Sequence, residues 1–301
     1  MVEILILSGK GGTGKTSVTA SLAALADRPV LADCDVDASN LPLILKPRLR
    51  RQETFIGGLR ARIQPGHCVA CGKCKELCRF DAIFFDGPSN GQVPRTFRVD
   101  PSACEGCGVC EYFCAERAIE LIPAENGRWF VSDTRFGPLI HARLRPGQGN
   151  SGKLVTLVRR QARLVAEASG RRLILIDGPP GIGCTTIAAL TGTTRMLVVT
   201  EPTPSGEHDL ERVLELSRHF GVHAWVCLNK HDLNPAMTER IEHKAAALGA
   251  TIAGRIPYHI SVTVAQRQGR PVVELDDSPA AAAIARLWQQ IRTSLPTGKV
   301  S

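Results

Sequence analysis

The sequence predicts an α/β fold built on a mostly parallel sheet. Short continuous runs of Ile, Leu and Val alternate along the chain with stretches of helical character, as expected when crossover helices connect parallel strands. These runs are not interrupted by regularly spaced polar residues, which is typical of strands covered on both faces. The chain has 301 residues, of which 44% are hydrophobic and 22% are charged, so it is long enough to bury a full core.

The first predicted strand covers residues 2 to 7 (VEILIL) and leads through a glycine-rich loop into a helix over about 15 to 26. Five further strands are predicted at 28 to 35, 171 to 180, 195 to 202, 223 to 230 and 250 to 257. The helical stretches that separate the later strands lie near 152 to 169, 206 to 219, 235 to 248 and 278 to 294.

The N-terminus, MVEILILSGK, lacks a basic segment and is interpreted as a buried strand, not as a signal peptide. No apolar run approaches the roughly 18 residues of a membrane span. The expected location is therefore the cytoplasm, and no membrane partner is expected.

The loop after the first strand, GKGGTGKT, fits the phosphate-binding pattern G-x-x-x-x-G-K-[ST] between a strand and a helix. Its backbone amides are suited to cradle phosphate oxygens at a helix N-terminus. We expect Lys15 to reach the β and γ phosphates and the Thr16 hydroxyl to hold Mg2+. The predicted nucleotide-binding residues of the loop are Gly9, Lys10, Gly11, Gly12, Thr13, Gly14, Lys15, Thr16 and Ser17.

The alternation of strands and helices stops between residues 59 and 147 and then resumes. The simplest interpretation is a small domain inserted into a loop of the larger one. The predicted organisation is a discontinuous nucleotide-binding core at 1 to 58 and 148 to 301, with an insert at 59 to 147.

Eight of the eleven cysteines lie in the insert, in CVACGKCKELC (68 to 78) and CEGCGVCEYFC (104 to 114). Both segments have the spacing C-x2-C-x2-C-x3-C, which predicts two 4Fe-4S clusters. Zinc ribbons also use C-x2-C pairs, but not repeated runs of four cysteines. Arg79 and Ala115 stand where a proline often follows the fourth cysteine, which leaves the ligand count unchanged. Outside the runs lie Cys34, Cys184 and Cys227.

The insert resembles the bacterial two-cluster ferredoxins, in which the fourth cysteine of each run serves the other cluster. The resemblance implies that one cluster is held by Cys68, Cys71, Cys74 and Cys114. It implies that the other is held by Cys104, Cys107, Cys110 and Cys78. The clusters are expected to transfer electrons, and the alternative that they only stabilise a small domain stays open.

Lys10 makes the phosphate loop a variant, KGGTGKT, and the core resembles the MinD/ParA/nitrogenase iron protein class of P-loop ATPases. ADCDVDASNL (32 to 41) resembles the switch I segment of the class, and LILIDGPPG (173 to 181) its Walker B and switch II segment. The resemblance implies that Asp35 orients the attacking water and that Asp177 holds Mg2+. Asp33 and Asp37 are weaker candidates that also suit turn capping.

The same resemblance assigns a role to Lys10. In this class the equivalent lysine crosses the interface of a nucleotide-sandwich dimer and contacts the phosphates bound by the other subunit. The resemblance therefore implies a nucleotide-dependent homodimer, or a heterodimer with a paralogue.

The segment LNKHDLN (228 to 234) contains N-K-x-D, the pattern by which GTPases read guanine. In the MinD-like class the equivalent asparagine contacts adenine, and the proline of IPYH (256 to 259) packs on the base. We therefore expect ATP, with GTP as the alternative, and Asn229 and Pro257 as base contacts.

Three functions are compatible with these features. The leading one is an ATP-gated electron carrier whose partner is a redox or metallocluster-carrying protein. The alternatives are a cluster-assembly ATPase of the Mrp type and a positioning ATPase of the MinD type. The net charge of +8 falls to roughly +4 once two clusters with four thiolates each are counted, so nucleic acid is not favoured as a partner.

Cys184 lies seven residues after Asp177. In the nitrogenase iron protein a cysteine at this spacing helps to hold a cluster shared by two subunits, but its partner cysteine corresponds to Asn150 here. The hypothesis is that two Cys184 thiols face each other across a dimer, able to bind a metal or to form a disulfide, and the alternative is a small buried residue.

Overall fold

The computed structural model describes residues 1–145, 149–275 and 277–295. The strands are β1 Val2–Ser8, β2 Val30–Asp33, β3 Arg48–Ile63, β4 Ile83–Gly87, β5 Thr96–Val99, β6 Ile119–Asp133, β7 Pro138–Leu144, β8 Leu173–Pro180, β9 Arg195–Thr200, β10 Ala224–Asn229 and β11 Thr251–Ile256. The α-helices are α1 Lys15–Leu25, α2 Leu41–Leu45, α3 Lys73–Glu76, α4 Val109–Tyr112, α5 Ser151–Ala168, α6 Cys184–Leu190, α7 Pro204–His219, α8 Pro235–Ala247, α9 Ile260–Gln268 and α10 Pro279–Thr293.

The main sheet has the strand order β11-β10-β9-β1-β8-β2-β7-β6-β3. β1 is parallel to both neighbours, with Val2 opposite Leu173 of β8 and Ile4 opposite Arg195 of β9. All seven residues of β1 are buried, as expected of a central strand covered on both faces. The order of the strands reverses direction at β1. Open α/β sheets bind ligands at such a point, outside the carboxyl ends of the strands.

The predicted α/β class and mostly parallel sheet are confirmed, with small differences at the ends of elements. The predicted strand at 28 to 35 begins only at Val30, because Arg28 has a φ of 45° and Pro29 follows it. The helix predicted to run to Ala26 ends at Leu25, where the chain becomes extended. Elements of the main sheet and its helices that the sequence did not indicate include β3, β6 and β7 and the helices α2, α6 and α9.

The chain divides into two compact units. The larger comprises Met1–Glu53, Trp129–Arg143 and Ser151–Ser301, and the smaller comprises Thr54–Arg128 and Leu144–Asn150. The predicted boundary at 58/59 does not coincide with this division, and the one at 147/148 lies outside the described residues. The interval 59 to 147 also contains β7, whose Leu139 and Ile140 pair in parallel with Leu31 and Ala32 of the main sheet.

Arg159 of α5 forms a buried ion pair that links α5 to β1 and to the end of α6 within the larger unit. Its Nη2 lies 2.5 Å from Oε2 of Glu3 on β1, and its Nη1 donates to the carbonyls of Ala188 and Thr191 at the end of α6. Both side chains of the pair are 6% exposed. Arg163 binds the other carboxylate oxygen of Glu3.

We expect Arg159→Met to lower the free energy of unfolding by about 3–5 kcal/mol, since it leaves a buried carboxylate short of its counter-charge. Urea unfolding followed by far-UV circular dichroism measures this loss. Arg160→Met, on the exposed neighbour in α5, is the matched control and should change stability by less than about 0.5 kcal/mol. Equal stability of the two variants would show that the pair contributes nothing.

Across the described residues, no helix combines the length and the apolar character needed to cross a membrane.

Candidate nucleotide and cluster sites

The phosphate loop leaves the carboxyl end of β1 and runs into the N-terminus of α1. Gly14 caps α1 with a φ of 90°, a left-handed conformation that glycine adopts without strain. A Cβ on Gly14 would lie 2.4 Å from Nδ2 of Asn229, so no side chain fits there. The loop therefore presents its backbone closely, as phosphate binding requires.

A cavity of about 730 Å³ opens over this loop, within the volume range of small-molecule sites. The predicted residues on its wall are Gly11, Gly12, Thr13, Gly14, Lys15, Thr16, Ser17 and Asp35. The wall also includes Asn40, Thr185 and Gln266, which the sequence did not single out. Gln266 of α9 donates to Ser17 Oγ at 2.6 Å, a contact between residues 249 positions apart that no local pattern reveals.

Lys15, Thr16 and Asp177 form one hydrogen-bonded group at the base of the cavity. Nζ of Lys15 donates to Oδ1 of Asp177 at 2.9 Å, and the Thr16 hydroxyl donates to Oδ2 at 2.9 Å. Thr19 also donates to Oδ1, at 2.9 Å. The structure thus brings together the phosphate lysine and the two predicted Mg2+ ligands.

Electrostatics couple this group to the predicted switch I segment. Burial acts to lower the pKa of Lys15, but the Asp177 carboxylate, with Asp33 and Asp35, outweighs it and holds that pKa above its ordinary value. Burial raises the pKa of Asp35, with the charge of Lys15, whose Nζ is 4.0 Å from Oδ2 of Asp35, opposing the rise. Lys15 therefore stays charged beside the position where phosphate is expected.

Asp33 has the turn-capping role that the sequence suggested. Its Oδ1 accepts the backbone N–H of Asp35 at 3.1 Å, and its Oδ2 accepts from Ser39 Oγ at 2.8 Å and from Leu41 N at 3.2 Å. It is fully buried, and burial followed by the charge of Asp177 raises its pKa. Asp37 lies on the cavity wall.

Lys10 is not on the cavity wall and binds other residues of the same chain. Its Nζ lies 2.7 Å from Oε1 of Glu201 and donates to Thr203 Oγ1 at 3.3 Å and Ser205 Oγ at 3.0 Å. Its side chain is 31% exposed. Nearby, a Cβ on Gly9 would lie 2.2 Å from that of Asp209, so α7 excludes any side chain at the start of the loop.

The two predicted base contacts are not on the wall of the cavity. Asn229 donates from Nδ2 to the Thr13 carbonyl at 2.7 Å, so its amide supports the phosphate loop. Pro257 is half-buried. Asp232, the last residue of the N-K-x-D pattern, accepts the backbone N–H of Tyr258 at 2.7 Å.

The eight insert cysteines surround two apolar cavities within the smaller unit. One cavity is bordered by Cys68, Cys71, Cys74 and Cys114. The other is bordered by Cys78, Cys104, Cys107 and Cys110. Each set contains three cysteines of one run and the last of the other, which is the grouping that the ferredoxin resemblance implies.

An internal repeat of 36 residues accounts for this arrangement. Residues with positive φ recur at that interval as the pairs Ala70 and Gly106, Gly72 and Gly108, and Asp81 and Arg117. The helices α3 and α4 recur at the same interval. A Cβ on Gly106 would lie 2.0 Å from the Leu59 carbonyl oxygen, so glycine is required there.

The surroundings of the sulfur atoms suit iron–sulfur ligation. The backbone N–H of Ala61 donates to Cys104 Sγ at 3.4 Å, and that of Ala118 donates to Cys114 Sγ at 3.3 Å. Burial raises the pKa of Cys74 and of Cys110 to about 11 each. A bound metal would lower both pKa values, because cysteine binds metals as the thiolate.

Among the described residues, no group of three or more Cys, His, Asp or Glu is compact enough for one metal ion. A 4Fe-4S cluster requires its four ligands to be farther apart than a single metal ion does, because each thiolate binds a different iron atom. Each of the two cavities supplies the four thiols that one such cluster needs.

The other three cysteines differ in exposure. Cys34 and Cys227 are buried, and burial raises the pKa of both thiols. Cys184 is exposed at the first residue of α6, and a Cβ on Gly152 of α5 would lie 3.8 Å from its Cβ. Burial therefore does not explain Cys184.

The chain is similar to known nucleotide-binding proteins over most of its length. A model described as the CobQ/CobB/MinD/ParA nucleotide binding domain matches residues 4–272. The chain is 35% identical over 237 residues to an uncharacterized protein of Methanocaldococcus jannaschii, covering 78% of this chain and 80% of that protein. It is 27% identical over 300 residues to an uncharacterized ATP-binding protein of the same organism, covering 95% and 86%.

Solved structures extend the similarity to the fold. The septum site-determining protein MinD complexed with Mg-ADP, from Pyrococcus horikoshii OT3, superposes with a TM-score of 0.59 at 18% identity, covering 96% of this chain and 95% of that one.

Proposed function

Because the chain belongs to the CobQ/CobB/MinD/ParA family of nucleotide-binding proteins, we propose that it couples ATP-dependent dimerisation to electron transfer through two 4Fe-4S clusters. The family makes it an ATP-binding ATPase of the MinD/ParA type. The proposal adds the clusters, the dimer and the redox role to that activity.

One observation carries the proposal, namely the grouping of eight cysteines around two cavities. Three cysteines of one run and one of the other border each cavity, and both cavities are otherwise almost entirely apolar. Backbone N–H groups already point at one sulfur atom of each set. When bound, a 4Fe-4S cluster supplies one-electron transfer.

The ATPase chemistry follows from the group at the base of the cavity. Lys15 is buried and charged, and it supplies the cation for the β and γ phosphates. Thr16 and Asp177 are the residues that would hold Mg2+, and they already share a hydrogen bond. Asp35 is proposed to orient a water molecule toward the γ phosphate, and its place on the cavity wall, with a carboxylate oxygen 4.0 Å from Nζ of Lys15, supports this role.

Lys10 is proposed to act in the other subunit of a dimer, which is a homodimer or a heterodimer with a paralogue. In the single chain its ammonium is held by Glu201, Thr203 and Ser205, and none of these contacts involves the lysine's own phosphate site. A cation that a partner must supply is missing from the monomer, so hydrolysis waits for dimerisation.

The partner that accepts or donates the electrons is proposed to be a redox or metallocluster-carrying protein. Cys71 and Cys107, one from each proposed ligand set, are exposed. Each cluster would thus have a ligand at the surface, where another protein can approach it.

The same exposure favours a second candidate function, a cluster carrier of the Mrp type, because exposed ligands are the ones most accessible to exchange. Transfer of iron to an apoprotein would distinguish the carrier from the electron carrier, whose iron content stays constant through many redox cycles.

Chemical analysis of protein purified without oxygen tests the central claim. We expect about eight iron and eight sulfide per chain, since each cluster contains four of each. EPR spectra of the reduced protein with and without ATP then test coupling. Stoichiometric zinc without sulfide would overturn the cluster assignment. An EPR spectrum and a midpoint potential that are the same with and without ATP would overturn the coupling between ATP binding and the clusters.

Cys184 provides a test of the dimer. We expect rapid thiol labelling of this exposed residue in the nucleotide-free protein and strong protection with a non-hydrolysable ATP analogue, because two Cys184 thiols are proposed to face each other. Mass spectrometry locates the label, and Cys184→Ser identifies any labelling elsewhere. Undiminished labelling of the dimer would place Cys184 outside the interface.

A further inference from the structure

A second surface cavity, here called the arginine cavity, lies at the edge of the sheet where the parallel strands begin. Its wall contains four arginines, Arg28, Arg171, Arg172 and Arg292, together with Asp27 and Trp288. These residues come from the loop after α1, the loop before β8, and α10. The phosphate loop leaves β1 at the opposite, carboxyl edge, so the two cavities are separate sites in the larger unit.

The charges on this wall are not balanced. Among the described residues on the wall, the guanidinium groups of Arg28, Arg171 and Arg292 outnumber the one carboxylate, that of Asp27, while Arg172 has an interaction partner of its own. Within the described part of the chain, the side chains of Arg28 and Arg292 form no ion pair and no hydrogen bond. Two exposed arginines are thus left with their full donor capacity facing the same cavity.

Arg171 adds a buried donor that is not satisfied. Its Nη1 donates to the carbonyls of Arg28 at 2.9 Å and Pro29 at 3.4 Å, which fixes the side chain. Its Nε is shielded from solvent and has no hydrogen-bond partner among the described residues. Burial, followed by the charge of Arg28, lowers the pKa of Arg171, with the carboxylates of Asp133 and Asp27 opposing the shift, and a bound anion would further favour the charged guanidinium.

We propose that the arginine cavity binds an oxyanion, a phosphate or carboxylate group, attached to a small apolar body. The guanidinium groups match the planar geometry of such oxyanions. The buried side chains of Trp288 and Leu295 provide an apolar wall for the rest of the ligand. A volume of about 200 Å³ limits that ligand to a small molecule.

Isothermal titration calorimetry on the full chain saturated with Mg-ADP tests the proposal, because ADP occupies the phosphate loop and leaves the arginine cavity as the available site. The probes are phenyl phosphate, benzoate and, as the uncharged control, phenol. We expect phenyl phosphate to bind and phenol to give no heat. Binding of benzoate as tight as that of phenyl phosphate would assign the site to carboxylates, and weaker binding would assign it to phosphates.

The double variant Arg28→Gln, Arg292→Gln should weaken phenyl phosphate at least tenfold, since two charge-assisted contacts are lost. Arg218→Gln, Arg286→Gln is the matched control, because it removes the same charge from two exposed arginines elsewhere and should leave the affinity unchanged. Thermal unfolding verifies that both variants are folded. The absence of phenyl phosphate binding to the parent, or equal affinity in the two double variants, would overturn the proposal.

Discussion

Lys10→Ala is expected to bind Mg-ATP as the parent does, to remain monomeric in ATP, and to hydrolyse ATP about a thousandfold more slowly. The size of the effect follows from the loss of a cation that acts on the phosphates from the other subunit, as an arginine finger does. Size-exclusion chromatography with light scattering measures dimerisation, and phosphate release measures turnover.

The contacts of Lys10 explain why binding should survive. Its ammonium is engaged by Glu201, Thr203 and Ser205 and does not reach the cavity of its own chain. Lys15, by contrast, lies buried at the base of that cavity. Lys15→Ala should therefore lose tight nucleotide binding itself. Lys244→Ala, which removes a lysine paired with Glu211 on the neighbouring helix, is the control and should leave binding and turnover unchanged.

Mixing the two inactive variants provides the sharpest test of action between subunits. A mixed dimer contains one subunit with an intact Lys10 and another with an intact Lys15 cavity, so one of its two sites is complete. We expect partial recovery of hydrolysis on mixing. Parent-like hydrolysis and dimerisation by Lys10→Ala alone would show that Lys10 acts only within its own chain.

The second large effect concerns the crossed assignment of the cysteines. Cys114→Ala is expected to remove the cluster of Cys68, Cys71 and Cys74, although Cys114 belongs to the other run in sequence. Cys78→Ala should remove the cluster of Cys104, Cys107 and Cys110. Iron and sulfide should fall by about half in each variant, because one four-iron cluster of two is lost.

Pairs of substitutions separate crossed from uncrossed assignment. Cys68→Ala combined with Cys114→Ala should lose no more iron than either alone, because both ligate one cluster. Cys104→Ala combined with Cys114→Ala should lose nearly all the iron. Cys184→Ala is the matched control and should keep the full iron content. The reverse pattern in the two double variants would mean that each run holds its own cluster.

Local sequence was enough to predict most of the larger unit. Continuous apolar runs marked β1, β8, β9 and β10, because central parallel strands are buried on both faces. β11 was also predicted, although it lies at the edge of the sheet and is only partly buried. β3 was missed for the opposite reason. Its sequence, RLRRQETFIGGLRARI, is largely exposed, so it contains no continuous apolar run to mark it as a strand.

The insert shows the same contrast. Cysteine spacing, together with the ferredoxin resemblance, predicted which four cysteines the structure brings to each of the two cavities. The extent of the insert was misjudged, because β7 belongs to the main sheet through pairing with β2, and such long-range pairing leaves no local mark.

The sequence by itself determined the elements whose chemistry is local, which are the phosphate loop, the apolar central strands and longer helices of the larger unit, and the two cysteine runs. Only the tertiary structure decided where side chains distant in sequence meet. In the folded chain Lys10 forms an ion pair with Glu201, Asn229 donates to the Thr13 carbonyl and Gln266 donates to Ser17 Oγ. The tertiary structure also gathered four arginines at the opposite edge of the sheet. The physical reason is that motif patterns reflect bonds between near neighbours, whereas these contacts depend on how the sheet aligns the ends of its strands and helices.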